Sequence, residues 1–161
     1  MTLNNLFKTF FSSDRIDSID EASSLIQELL SSLGTSHEES KIETDSKEML
    51  GWMTGIGNVY VYIYVFKSDD NRIYLKLISP VAFLPDKNIL PFYRTLLETN
   101  IYLNGYVLAV EKNLTLLIRV KKIEEVSLDE AKKITEQIVK LSTEISEKLI
   151  EDFKVQKFEI Q

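Results

Sequence analysis

The side chains that could do chemistry in this chain are few and scattered. One histidine, His37, stands beside the acidic pair Glu38 and Glu39. A single imidazole cannot build a zinc site of several histidines. Ser-His-Asp catalysis needs a poised serine, and no strand–turn–helix nucleophile elbow is written here. His37 is therefore expected at the surface of a polar loop. Gly55 and Gly57 in "GIGNVY" supply two of the three glycines of a dinucleotide fingerprint, but they fall between two strand patterns and no helix follows. Asp69 and Asp70 sit in a tight turn without the further carboxylates of a calcium loop. Cysteine is absent, which removes disulfides, thiolate metal sites and cysteine nucleophiles together. Acid–base work by two carboxylates stays open, yet neither Glu38–Glu39 nor Glu124–Glu125 is marked out from ordinary solvated charge. The residues point to a protein that is not an enzyme, with no cofactor and no metal.

Bulk properties narrow the class further. The 161 residues, 44% hydrophobic and 27% charged, suit one domain, 1–161, with a core over about residues 18–153. A net charge of −6 lacks the basic excess that neutralises phosphates, so no nucleic-acid partner is expected. No apolar run approaches the ~20 residues of a membrane helix. The first residues, "MTLNNLFKTFFSSDRIDS", have no basic start, apolar stretch and cleavage site in sequence. "LFKTFF" reads as a short amphipathic helix docked on the domain. A cytoplasmic location follows as the default.

Periodicity gives the elements that would position any site. "SIDEASSLIQELLSSLG" is a helix with Ser18 and Glu21 as a capping-box pair and Gly34 as its stop. The run 35–47 is polar and aperiodic, a loop with room for an edge strand. Strands are expected over 48–54, 59–66 and 72–79, with turns at "GIGN" and "SDDN". "SPVAFLPD" breaks the pattern. A helix follows from 87 or 88 to 101, with Pro91 confined to its first turn. Leu90, Tyr93, Leu97 and Ile101 form its stripe, widened by Ile89, Phe92 and Leu96. "YVLAVEKNLTLLIRV" is a hairpin turning at 111–113. Ser127 and Glu130 open a last helix to about Phe153, striped by Leu128, Ala131, Ile134, Ile138, Leu141, Ile145 and Leu149. The tail "KVQKFEIQ" is an extra strand or frayed. The order α-βββ-α-ββ-α, with hairpin-length turns, predicts an α+β fold with an antiparallel sheet of about five strands.

One strand is unusual. In "VYVYIYVF", Val59, Val61, Ile63 and Val65 alternate with Tyr60, Tyr62, Tyr64 and Phe66, so one sheet face is aliphatic and the other aromatic. The helices need the aliphatic face. Tyr60, Tyr62, Tyr64 and Phe66 are left on the far face with Arg72, Tyr74 and Lys76, whose cations can lie over the rings. Thr115, Leu117 and Arg119 join them if Leu114, Leu116, Ile118 and Val120 point inward, an assignment that is invertible because both sides of that strand are apolar. Tyrosines that simply favour strands are one reading of this face. The other is a protein contact: a self-dimer or an extended partner segment laid across or beside the sheet.

The run from about Leu50 to Phe153 resembles the YbjN family and the related class I type III secretion chaperones. The carriers are the meander "GWMTGIGNVYVYIYVFKSDDNRIYLKLISP", the segment "LPDKNILPFYRTLLETNIYLNGYVLAVEKNLTLLIRV" and the helix "SLDEAKKITEQIVKLSTEISEKL". The resemblance implies an α+β domain, a homodimer without enzymatic activity, and a protein partner bound as an extended segment; acidic charge suits that class. YbjN-like proteins are labelled regulators. The leading expectation is a non-enzymatic protein-binding domain, chaperone-like or a regulatory adaptor. The alternative is a small-molecule-binding or sensory domain with a pocket between sheet and helices, lined by Trp52, Phe83 and Phe92.

Overall fold

Residues 18–160 are described by the structure, a computed structural model; "LFKTFF" lies outside them. The chain runs α1 (Ile19–Ser32), a one-turn helix α2 (His37–Ser40), β1 (Lys41–Ile42), β2 (Met49–Ile56), β3 (Val59–Lys67), β4 (Ile73–Phe83), α3 (Ile89–Asn100), β5 (Tyr106–Glu111), β6 (Leu114–Lys122), a 3-10 turn (Ile123–Glu125) and α4 (Leu128–Phe153).

Local signals set most boundaries. Ser18 Oγ accepts the Glu21 N–H at 3.1 Å, satisfying an amide that no preceding turn can reach. At the other end Gly34 takes φ +73. Thr35 N–H then donates to Leu30 O and Gly34 N–H to Ser31 O, the paired bonds that close a helix through a left-handed glycine. Ser127 caps α4 in the same way, with its Oγ 3.2 Å from the Glu130 N–H. The reciprocal half of that capping box is replaced: the Glu130 carboxylate accepts from Lys121 Nζ at 2.7 Å, tying α4 to β6.

That bond and the Lys121 charge hold the Glu130 carboxyl below its usual pKa. A lowered folded pKa adds stability that is complete above the ordinary carboxylate range and is lost as pH falls through the folded value. Glu130→Gln is therefore expected to lower the melting temperature slightly at pH 7, with the gap to wild type closing below about pH 4. A gap that stays constant in thermal melts across that range would refute the coupling.

The six strands pair antiparallel in the order β1-β2-β3-β4-β6-β5. The sixth is β1, two residues long, inside the run expected as a loop. β4 runs past Ser79 to Phe83, whereas the sequence pattern ends there. Its register shifts between Pro80 and Ala82. β3 pairs with β4 only as far as Tyr62↔Ile78, so Pro80 lies where one side of the ladder is open and a missing N–H is tolerated.

The helices lie on one face. Val59, Val61, Ile63 and Val65 of β3 and Ile73, Leu75, Leu77 and Val81 of β4 are buried there against Ala22, Ile26, Leu29 and Leu30 of α1 and Ala131, Ile134, Ile138, Ile145 and Leu149 of α4. Trp52 and Phe92 are fully buried in this core. Phe83 pairs with Leu114 on the opposite face, so Trp52, Phe83 and Phe92 do not line one pocket.

Three expectations are corrected. First, β6 is inverted. Leu117 is fully buried and pairs with Ser79, while Arg119 pairs with Leu77 and lies 5.1 Å over the Tyr106 ring. Thr115, Leu117 and Arg119 thus face the helices. Leu116, Ile118 and Val120 face away. Second, the stripe of α3 is turned. Phe92 and Leu96 are buried, but Leu90, Leu97 and Ile101 are 76%, 69% and 74% exposed. Third, His37 is not a surface residue of a loop. It begins α2, its side chain is 14% exposed, and its ring centroid is 5.3 Å from that of Trp52.

Candidate functional site

The open face of the sheet is built by register. Met53 pairs with Tyr62, Tyr62 with Ile78, Ile78 with Ile118 and Ile118 with Val107. Directly paired residues share a face. One apolar row therefore crosses β2, β3, β4, β6 and β5, and no helix among the described residues covers it. The neighbouring rows are Gly51–Tyr64–Lys76–Val120 and Met49–Phe66–Tyr74–Lys122.

The structure brings most of the expected residues together. Tyr60, Tyr62, Tyr64, Phe66, Tyr74 and Lys76 are all half-buried on this face. Two of the rings cover glycines on β2. A Cβ on Gly51 would meet the Tyr64 ring at 3.0 Å, and one on Gly55 would meet the Tyr60 ring at 3.6 Å. Strand glycines with aromatic cross-strand partners recover packing they would otherwise lack. Phe66 stacks on Tyr74 at 5.7 Å. Arg72 precedes β4 and does not lie over a ring. Its Nε is 3.7 Å from Asp70 Oδ2, and its N–H donates to Asp70 Oδ1 at 3.1 Å. The Tyr74 hydroxyl also donates to Asp70, at 3.2 Å. These bonds, the Arg72 N–H first, hold the Asp70 carboxyl below its usual range. Asp70 closes a turn.

Met49, Met53, Ile78, Ile118 and Val107 were not singled out from the sequence. Ile78 was legible by alternation, since Tyr74 and Lys76 lead to it. Val107 and Ile118 needed the orientation of the hairpin.

The tail reaches the same face. Phe83 N–H donates to Gln156 O at 2.9 Å, Lys157 bridges Ala82, and the Phe158 ring lies 6.2 Å from Tyr60 and 6.1 Å from Phe83. It shelters one end of the open sheet.

β5 is an edge strand, but its outer side is occupied near its start. Tyr106 N–H donates to Leu103 O. The Asn100 side chain accepts from Leu108 N–H at 2.6 Å and donates to Leu108 O at 3.2 Å. An amide from α3 thus stands where an added strand would pair, a common way to blunt an edge.

The chemical groups form no centre. No group of three metal-ligating side chains is present among the described residues. His37 Nδ1 lies 3.3 Å from Glu38, and nearby hydroxyls are engaged: Ser36 Oγ accepts from Glu39 N–H and Ser40 Oγ donates to Ser36 O. Gly55 lies inside β2 and Gly57 in the turn that follows, with a strand after it. No described helix is long and apolar enough to cross a membrane.

No family model and no curated protein sequence matches the chain. Solved structures do. A chain of the ExsC–ExsE complex matches with TM-score 0.57 and 11% identity, over 79% of this chain and 92% of that one. A chain of the Yersinia pestis type III secretion chaperone SycH in complex with a stable fragment of YscM2 gives 0.51 and 16%, over 75% and 96%. A chain of the HopA1–SchA chaperone–effector complex gives 0.52 and 15%, over 78% and 93%. The fold is thus the α+β fold of the matched chains in these complexes.

Proposed function

We propose that the chain is a non-enzymatic protein-binding domain, a chaperone or regulatory adaptor of the secretion-chaperone-like superfamily with YbjN-type kin. It acts as a homodimer that receives an extended segment of a protein partner. The observation that carries this reading is the apolar row Met53–Tyr62–Ile78–Ile118–Val107, which crosses five strands without a covering layer. Monomeric proteins rarely leave a contiguous apolar face open without a use for it. Support comes from three neighbours whose structures are complexes, two of them described as chaperone complexes. The blunted edge of β5 favours a segment lying across the sheet over one added beside it. The homodimer would use the exposed stripe of α3, Leu90, Leu97 and Ile101, with Tyr102 at 78% exposure beyond the helix.

Tyr62→Glu tests the sheet face, because it places a charge within the row while leaving the aliphatic face intact. Tagged wild type captured from its native lysate is expected to hold one stoichiometric partner, identified by mass spectrometry, and the variant to lose it by about tenfold or more. An unchanged set of bound proteins would sink the sheet-face reading.

A further inference from the structure

A hollow of about 350 Å³ opens on the aromatic face, and both edges of the sheet contribute to it. Glu43 and Asp45 come from the loop between β1 and β2, Glu111 from the end of β5, and Tyr64, Phe66 and Lys76 from the strands between. Residues from opposite edges line one hollow only if the sheet coils with this face concave, as twisted sheets do. The volume is at the small end for a ligand site, ~300–1,000 Å³, and admits one long side chain.

Three carboxylates stand here against one ammonium. None of Glu43, Asp45, Glu111 and Lys76 forms an ion pair within 4.0 Å among the described residues, so Lys76 does not neutralise the acids by contact. An anion entering would meet the majority charge. The acids are not grouped closely enough to hold a metal ion. The walls are the Tyr64 and Phe66 rings, whose faces attract cations. Independently, the Tyr64 phenol is held above its usual pKa by burial, by Tyr62 and by Glu111, so Glu111 is felt at that ring.

We propose that this hollow receives a basic side chain, arginine or lysine, carried by the partner's extended segment: the carboxylates of Glu43, Asp45 and Glu111 meet its charge and the Tyr64 and Phe66 rings its planar or methylene surface. The inference rests on the sheet-face reading and adds the chemistry of one partner position. Lys76 is then a moderating charge, and its removal strengthens binding.

The test is selection of random dodecapeptides displayed on phage against immobilised wild type, Tyr62→Glu and the double variant Asp45→Asn/Glu111→Gln. All three acids are exposed, so the neutral replacements leave the core alone. An enriched peptide, fluorescein-labelled, is then measured by anisotropy beside the same peptide with its basic residue changed to glutamine. Wild type is expected to enrich peptides with arginine or lysine among apolar residues, and Tyr62→Glu to enrich none. The double variant and the glutamine peptide should each weaken binding about fivefold, and Lys76→Gln should tighten it about twofold. Enrichment of apolar peptides without a basic preference, or weaker binding in Lys76→Gln, overturns the hollow and leaves the sheet face standing. Recovery of no Tyr62-dependent peptide overturns both.

Discussion

Leu97→Glu combined with Ile101→Glu is expected to make the protein monomeric in sedimentation experiments while its far-UV spectrum stays that of wild type. Leu97 and Ile101 are 69% and 74% exposed, so glutamate at either position enters water, not the core. With Leu90 they occupy one side of α3, roughly opposite Phe92 and Leu96 at about 100° per residue. A helix apolar on two sides has two surfaces to cover. The core takes Phe92 and Leu96; the proposed second copy takes the other stripe. Between them Arg94 and Glu98 pair at 2.8 Å on the exposed surface, a contact contributing little by itself. A two-fold interface presents each residue twice. If the two copies of each leucine-sized anchor together contribute about 2 kcal/mol, losing both positions weakens association roughly a thousandfold. A variant that sediments like a dimeric wild type would remove α3 from the interface, and a wild type that is itself monomeric at high concentration would remove the homodimer.

Legibility followed the range of the interaction. Both helix starts were readable because the determinant is three residues away: Ser18 to Glu21 and Ser127 to Glu130. The stop at Gly34 was readable because the left-handed conformation it adopts is one that glycine tolerates. The two faces of β3 were readable because valines and isoleucine alternate strictly with aromatics. Where two faces are equally apolar, the local pattern carries no choice. In α3, Leu90, Leu97 and Ile101 compete with Phe92 and Leu96, and the winner depends on what the helix meets, including Phe153, whose ring is 5.1 Å from that of Phe92. His37 is the converse case. A polar run conceals it, and only the fold brings its ring against Trp52. The aromatic candidates do share one sheet face, as strict alternation predicts, whereas Arg72 does not join them, since Asp70 two residues away claims it.

The same ambiguity gives the sharpest single-residue contrast, at neighbouring positions of β6. Leu117→Glu is expected to unfold the protein, and Ile118→Glu to leave it folded but unable to bind across the sheet. By composition the two positions are interchangeable. Register separates them. Leu117 pairs with Ser79 and Leu108 on the helix-covered face and is fully buried, so a carboxylate there is cut off from water. Leaving a charge buried without a partner costs about 3–5 kcal/mol, a large part of the 5–15 kcal/mol that holds a domain together. Ile118 pairs with Ile78 and Val107 on the open face and is half-exposed, so its glutamate reaches solvent and costs the fold little. It does place a charge within the apolar row, next to Ile78, whose other neighbour in the row is Tyr62. Thermal melts and peptide anisotropy run on both variants separate the effects. A folded Leu117→Glu with an unfolded Ile118→Glu would mean that β6 presents its other side to the helices. The open face would then carry Thr115, Leu117 and Arg119, and the row on which binding is proposed would lose two of its five members.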